Sequence, residues 1–325
     1  MNRPEDGGPL VSVVIPTHGR GELLRRAVDS VLAQSVADLE LIVVDDATPG
    51  REVADVVAGC DDPRLCCLRH EVNRGAPAAR NTGIRAARGR YVALLDSDDE
   101  WLPNKLALQL ERFERDETGQ LGVVVCNVAL VTRGADGATR SRNGSARAFC
   151  GDVYYTLLGR RDMRPTSTLL IRRTLLGNEH LFDENLESSQ EYDLLLRLSR
   201  RCRFDTVQQV LVRMYLHAGA RISTSDRRMP GMEQTLLKHL DELQACPPAM
   251  ASHHSVLALR YCKPDLLDMA KARAHLRAAI RATPWAPGPW AWYLASLFGP
   301  GLFRRVRFAW PKNLLYGAWH RLECR

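Results

Sequence analysis

Over the first hundred residues, short apolar runs alternate with stretches whose apolar positions recur at helical spacing. Val11 to Thr17 reads as a buried strand stopped by Pro16, and Leu23, Leu24, Ala27, Val28, Val31 and Leu32 then mark one face of a helix. Leu39 to Asp46 is a second strand ending in a carboxylate pair. Leu65 to Leu68 predicts a short third strand, Ala76 to Ala87 a helix and Tyr91 to Leu95 a fourth strand. Strands alternating with helices predict an α/β fold with a parallel sheet of right-handed crossovers, in which ligands gather beyond the carboxyl ends of the strands. Thr17, Asp45, Asp46, Asp96 and Asp98 all fall at those ends.

Past residue 100 the pattern loosens. Val123 to Thr132 predicts one long strand or a bent pair, Arg133 to Arg147 a loop rich in Gly, Ser and Arg, and Thr166 to Ile171 a further strand. A helix follows Gln190-Glu191, and Val210 to His217 is strand-like. From Met229 onward the strands give way to helices over Glu233 to Leu243, Ser255 to Cys262 and Leu266 to Ala282. Ala282 to Phe303 carries no charge, but prolines and glycines leave Trp290 to Phe298 as its longest unbroken piece. A spanning helix needs about 20 continuous apolar residues.

The chemistry concentrates where the fourth strand ends. Asp96, Asp98 and Asp99 put three carboxylates within four residues, and such crowding calls for a cation. Hard oxygen donors at this density suit Mn2+ or Mg2+, which keep waters and bridge to substrate phosphates. The ligand implied is a metal-chelated diphosphate. The competing reading is a solvated acidic turn whose Asp99 or Glu100 favours a following helix dipole.

Four motifs in order strengthen the first reading. They are Val11-Ser12-Val13-Val14-Ile15-Pro16-Thr17-His18-Gly19-Arg20, Val43-Val44-Asp45-Asp46, the stretch from Asn73-Arg74-Gly75 through Ala79-Arg80-Asn81 to Gly83-Ile84, and Leu95-Asp96-Ser97-Asp98-Asp99-Glu100-Trp101. Together they resemble the nucleotide-sugar-binding half of inverting family 2 glycosyltransferases with the GT-A fold, over roughly Leu10 to Ser225. The resemblance implies a Rossmann-like mixed sheet flanked by helices, and the pattern from Met229 onward adds a helical appendage at the C-terminal end. It implies that residues 10–100 bind the nucleotide sugar and that 101–228 form the acceptor half; outside it, 1–9 reads as a flexible N-terminus and 229–325 as a separate helical region.

Residue by residue, the resemblance implies that Pro16, Thr17, Arg20, Asp45, Asp46, Arg80, Asp96 and Ser97 surround the donor. Asp46 would read the base and Arg80 would lie near the phosphates, while Asp98, Asp96 and His217 would serve the metal. Asp45 and Asp46 could instead end a strand and cap the next helix, and His217 could be an ordinary strand-end histidine. The acidic motif that carries the family's base aligns with Gln190-Glu191, which makes Glu191 the base and Asp193 its rival. One departure is Ala47-Thr48, where the family usually has Gly-Ser; Ala47 lacks glycine's backbone freedom.

Composition sets outer bounds. With 325 residues the chain holds one large α/β domain and a smaller appendage, and nine cysteines without metal spacing predict reduced thiols in the cytoplasm. The N-terminal residues lack the apolar core of a secretory signal. A net charge of +7 comes with no recognised nucleic-acid module, which excludes a nucleic-acid partner. Instead, Phe303, Phe308, Trp310, Tyr316 and Trp319 interleave with Arg304, Arg305, Arg307, Lys312 and Arg321. Two readings stand for this stretch: peripheral attachment to an anionic membrane on its cytoplasmic face, or a small soluble bundle. The expected partners are a nucleoside-diphosphate sugar, probed first as UDP-sugar, and a glycan or lipid-linked acceptor. A catalytically inactive donor-binding module is the alternative.

Overall fold

The computed structural model describes residues 7–133, 139–144, 149–159, 164–177, 181–216, 228–263 and 266–309. It divides into two compact units. The first comprises Met1–Tyr154, Asp162–Asn185 and Gln190–Ala220; the second comprises Tyr155–Arg161, Leu186–Ser189 and Arg221–Arg325. The helical unit thus includes two short pieces that lie before residue 229.

The chain runs β1 (Val11–Thr17), α1 (Gly21–Leu32), β2 (Leu39–Asp45), α2 (Glu52–Ala58), β3 (Leu65–Arg69), α3 (Ala76–Ala86), β4 (Tyr91–Leu94), β5 (Asp99–Trp101) and α4 (Lys105–Glu114). It continues through β6 (Leu121–Arg133), β7 (Thr139–Gly144), α5 (Tyr154–Leu158), β8 (Leu170–Arg172), α6 (Gln190–Leu198) and β9 (Arg203–Leu216). Among the described residues these strands form one sheet, in the order β3-β2-β1-β4-β8-β6-β9-β5, with β7 paired to β6. The first four run parallel, as the βα alternation predicts. Strand β8 is antiparallel to both β4 and β6, so the sheet as a whole is mixed.

Burial explains the helices. Leu24, Ala27, Val28 and Val31 of α1 lie against Val13, Ile15, Leu41 and Val43 of the sheet in one continuous core. Strands β1 and β2 are buried along their whole length, which is why they read as unbroken apolar runs. On α3, Gly83 packs directly against side chains of the sheet. A Cβ there would sit 2.3 Å from Val14 Cγ1 and 3.2 Å from Val44 Cγ2. Gly83→Ala is therefore expected to destabilise the protein by about 1–3 kcal/mol, read as a lower midpoint in urea. An unchanged midpoint would show that the helix can lift without cost.

Four elements of this unit differ from the sequence expectation. The Gly, Ser and Arg segment after β6 contains a strand, β7, whose described side chains are exposed and so leave no buried alternation to read. Thr166 to Thr168 forms a turn of 3-10 helix before β8. The three-residue β5 and the helix α4 are additional. Lys105 of α4 is fully buried, with its ammonium 3.9 Å from the Trp101 ring centroid and 2.7 Å from Gln109 Oε1.

The second unit contains α7 (Arg228–Lys238), α8 (Leu240–Ala245), α9 (Pro247–Tyr261), α10 (Met269–Ala282), α11 (Pro287–Leu297) and α12 (Pro300–Ala309). The helix expected over Glu233 to Leu243 is two helices, divided at His239. Asp268 caps α10 by accepting from the Lys271 amide at 2.9 Å, and proline occupies the first turn of α9 and α11. Leu257, Ala258, Ala272, Leu276, Trp292 and Phe303 are buried in this unit. No described helix is long and apolar enough to cross a membrane. Among the described residues seven cysteines are free thiols.

Candidate active site

The carboxyl ends of β1, β2 and β4 all belong to the first unit, and hydrogen bonds stitch the loops that leave them. The Asp46 amide donates to the Thr17 carbonyl at 2.8 Å, and the Gly19 amide donates to Thr48 Oγ1 at 2.8 Å. Ala47 between them has φ of 57°, the left-handed conformation that glycine takes most easily. The alanine therefore fills the glycine role at a cost of about 1 kcal/mol.

Asp45 and Asp46 are almost wholly enclosed. Asp45 accepts from the Thr48 amide at 2.9 Å and forms an ion pair with Arg69, whose other nitrogen donates to the Thr48 carbonyl. Asp46 accepts from His70 Nδ1 at 2.7 Å and from the amides of Arg74 and Gly75 at 2.9 and 2.7 Å. These two carboxylates fix the 46–48 turn and the start of α3. Pro16, Thr17 and Ser97 are buried beside them in the chain segments that end β1 and β4. Thr17 Oγ1 is buried without a hydrogen-bond partner.

Arg80 is the centre of the site's electrostatics. It rises from α3, donates to Asp96 Oδ1 at 2.7 Å and lies 5.3 Å from the Phe182 ring centroid, with its Nε buried and unpartnered. Burial disfavours its charge, but Asp96, then Glu191 and Asp98, more than offset this and hold the guanidinium pKa above its ordinary value. One buried cation thus feels the carboxylates from the end of β4 and the carboxylate that opens α6.

Asp98 has its own cation. Arg20 donates to Asp98 Oδ2 at 2.9 Å from a backbone with φ of 107°, a conformation that non-glycine residues rarely adopt. Arg26 donates to the Asp98 carbonyl at 2.6 Å while stacking 3.7 Å from the Tyr215 ring centroid. The Asp96 and Asp98 side chains keep 31% and 17% of their surface in solvent, so both remain reachable. Asp99 does not join them. It is buried and accepts from Ser167 Oγ at 2.6 Å, and Ser167 Oγ also accepts from the Asp96 amide at 3.1 Å.

Two hard carboxylates at one strand end fit Mn2+ or Mg2+, because such ions leave most positions to water and phosphate oxygens. Among the described residues no group of three or more His, Cys, Asp and Glu side chains forms a closed metal cage. His217 lies outside the described residues.

Glu191 and Asp193 share the first turn of α6 but not a role. Glu191 is partly exposed, and among the described residues no side chain forms an ion pair with it. Asp193 is fully buried and paired with Arg197 at 2.8 Å, and Arg197 donates in turn to the Leu181 carbonyl at 2.6 Å. That pair holds the segment next to Phe182.

Several partners carry no signal in the sequence. Asn81 binds the Phe182 backbone on both sides, donating to its carbonyl at 2.8 Å and accepting from its amide at 2.9 Å, which fixes the ring beside Arg80. Glu184 accepts from Asn81 at 2.9 Å and from Arg74 at 3.2 Å. Ser167, Phe182 and Glu184 lie far from the motifs they serve and in no pattern of their own.

Comparison with known proteins agrees with this architecture. A family model described as glycosyl transferase family 2 matches residues 12–177. The chain is 29% identical over 251 residues to a putative colanic acid biosynthesis glycosyl transferase, WcaA, of Escherichia coli K12, covering 72% of this chain and 82% of that protein. Over 108 residues it is 32% identical to the Escherichia coli enzyme WfaP, described as a UDP-Glc:alpha-D-GlcNAc-diphosphoundecaprenol beta-1,3-glucosyltransferase, covering 33% of this chain and 43% of that one. The S. aureus TarS 1-349 structure in complex with UDP-GlcNAc superposes with a TM-score of 0.62 at 18% identity, covering 96% of this chain and 93% of TarS 1-349. The mannosyltransferase PcManGT of Pyrobaculum calidifontis, in complex with GDP-Man and Mn2+, gives 0.56 at 20% identity, covering 97% and 88%. The motif-bearing sheet, the mixed topology and the family match over half of the sequence place this chain in glycosyl transferase family 2.

Proposed function

We propose that this glycosyltransferase is an inverting, metal-dependent enzyme of surface polysaccharide assembly, moving a sugar from UDP to a hydroxyl of a glycan or lipid-linked acceptor. The names of the WcaA and WfaP relatives support the polysaccharide context, and the UDP-sugar complex of TarS supports the donor class. The observation that carries the reading is Arg80, a buried cation faced by Asp96, Asp98 and Glu191.

In this reading residues 10–228 form the catalytic domain and 229–325 the helical region. Thr17 Oγ1 and Arg80 Nε, buried and unpartnered, take hydrogen bonds with the donor. Arg20 and Arg80 hold the diphosphate, while Pro16 and Ser97 wall the nucleotide. Asp45 and Asp46 act by shaping the turn that meets the base. Asp96 and Asp98, with His217, would hold Mn2+ or Mg2+, which when bound offsets charge on the departing diphosphate. Glu191 takes the proton of the acceptor hydroxyl as that oxygen attacks the anomeric carbon from the face opposite the nucleotide.

The test is thermal stabilisation by UDP, GDP, dTDP and CMP, each with and without Mn2+, since a ligand that binds only the native state raises its melting temperature. A shift with UDP that requires metal is expected. A response to GDP or dTDP alone would replace the donor, and no response to any nucleotide would remove the donor site.

A further inference from the structure

Helix α11 is apolar on every side. Its inward positions, Gly288, Pro289, Trp292, Ala295 and Ser296, are buried as expected for a helix that packs in a bundle. The opposite positions are apolar too, yet Trp290, Leu294, Leu297 and Phe298 are exposed, as are Trp285 before the helix and Leu302 after it. These six side chains keep between 41% and 76% of their surface in solvent. The spacing of 290, 294, 297 and 298 places them along one helical stripe. A helix without a polar face is normally covered on all sides, and an exposed stripe of this kind marks an interaction surface.

The charge of the sequence that flanks the stripe points to its partner. From Met269 to Leu322 the chain contains nine Lys and Arg residues and no Asp or Glu. The remainder, with 36 Lys and Arg against 38 Asp and Glu, is slightly acidic, so the chain's net positive charge resides in this segment. Lys271, Arg277 and Arg281 of α10 and Arg305 of α12 are exposed. Trp290 is held by its own indole, which donates to the Pro284 carbonyl at 2.8 Å. Its polar edge is thus satisfied while much of the ring meets solvent, the condition of a tryptophan suited to the boundary between headgroups and acyl chains.

We infer that the exposed stripe of α11 is a docking surface for an anionic phospholipid bilayer. The apolar side chains enter the interface, and the exposed Lys271, Arg277, Arg281 and Arg305 of the flanking helices supply the attraction to lipid phosphates. This surface lies earlier in the chain than the aromatic and basic stretch from Phe303 to Arg321, where one of the two readings of the sequence puts membrane contact. It is independent of the donor site, so loss of nucleotide binding would leave it untouched.

The experiment is co-sedimentation of the full chain with vesicles of phosphatidylcholine alone or with about one-third phosphatidylglycerol. Binding to the anionic vesicles is expected to be at least about tenfold tighter and to weaken with salt. A variant carrying Trp290→Ser, Leu294→Ser and Phe298→Ser should lose about tenfold or more of that binding. All three side chains face solvent, and an unchanged melting temperature and nucleotide response would confirm that the variant folds. Equal binding by wild type and variant, or no binding by wild type, overturns the inference. A wild-type dimer that the triple substitution makes monomeric, without an effect on vesicle binding, assigns the stripe to a second copy of the chain and overturns it as well.

Discussion

Glu191→Gln is expected to leave metal-dependent stabilisation by UDP intact and to lower sugar transfer by about 100-fold or more. The amide keeps the size of the side chain but cannot take a proton. Among the described residues no side chain forms an ion pair with Glu191, so the substitution breaks no ion pair among them. Arg80 keeps its short bond to Asp96 when Glu191 loses its charge, and the donor pocket therefore persists. The adjacent acid behaves differently. Asp193→Asn removes the partner of Arg197 inside the protein, and breaking a buried pair costs about 3–5 kcal/mol. Loss of activity with a sharp fall in melting temperature is the mark of Asp193. Loss of activity at constant melting temperature is the mark of Glu191. Near-normal turnover by Glu191→Gln would end its assignment as the base, and a protein that binds donor with no turnover even as wild type would be a binding module.

Asp98→Asn is expected to abolish the part of UDP stabilisation that depends on Mn2+ and to reduce turnover by about 100-fold. Without ligand, Asp98 has Arg20 as its counter-ion, in a pair that is partly exposed and contributes little to stability. The melting temperature of the free protein should therefore change little. If Asp98 only anchored Arg20, the substitution would act on the free protein and leave the metal effect in place. Comparison of the melting temperature with metal alone, nucleotide alone and both separates these cases. Retained synergy between UDP and Mn2+ would take Asp98 out of the metal site.

The parts of this site that were legible in sequence are those whose chemistry is carried by neighbours in the chain. Asp96, Ser97 and Asp98 stand out because they follow the buried β4, and β1 and β2 stand out because both their faces are covered. What could not be read depends on distant pairing. Ser167 joins the Asp96 amide to Asp99 across roughly 70 residues, and nothing in Thr166-Ser167-Thr168 signals that duty. Phe182 reaches Arg80 only because Asn81 binds its backbone. Strand β7 has a solvated surface, and the three-residue β5 is too short to show a period. Local pattern shows Asp99 only as one more carboxylate of the cluster, and it is burial that turns it inward while Asp98 stays partly exposed.

The continuity of the sheet limits how this enzyme can change shape. β4 passes directly to β8, then to β6 and β9, in one sheet, so in the proposed reading the donor and acceptor halves share one hydrogen-bonded floor. A two-jaw closure about a hinge would require that ladder to shear, with many backbone bonds lost at once. Motion that admits substrate and excludes water must come from the loops above the floor. Exchange of those loops, and not reorientation of the halves, is then the practical route to a new sugar or acceptor preference.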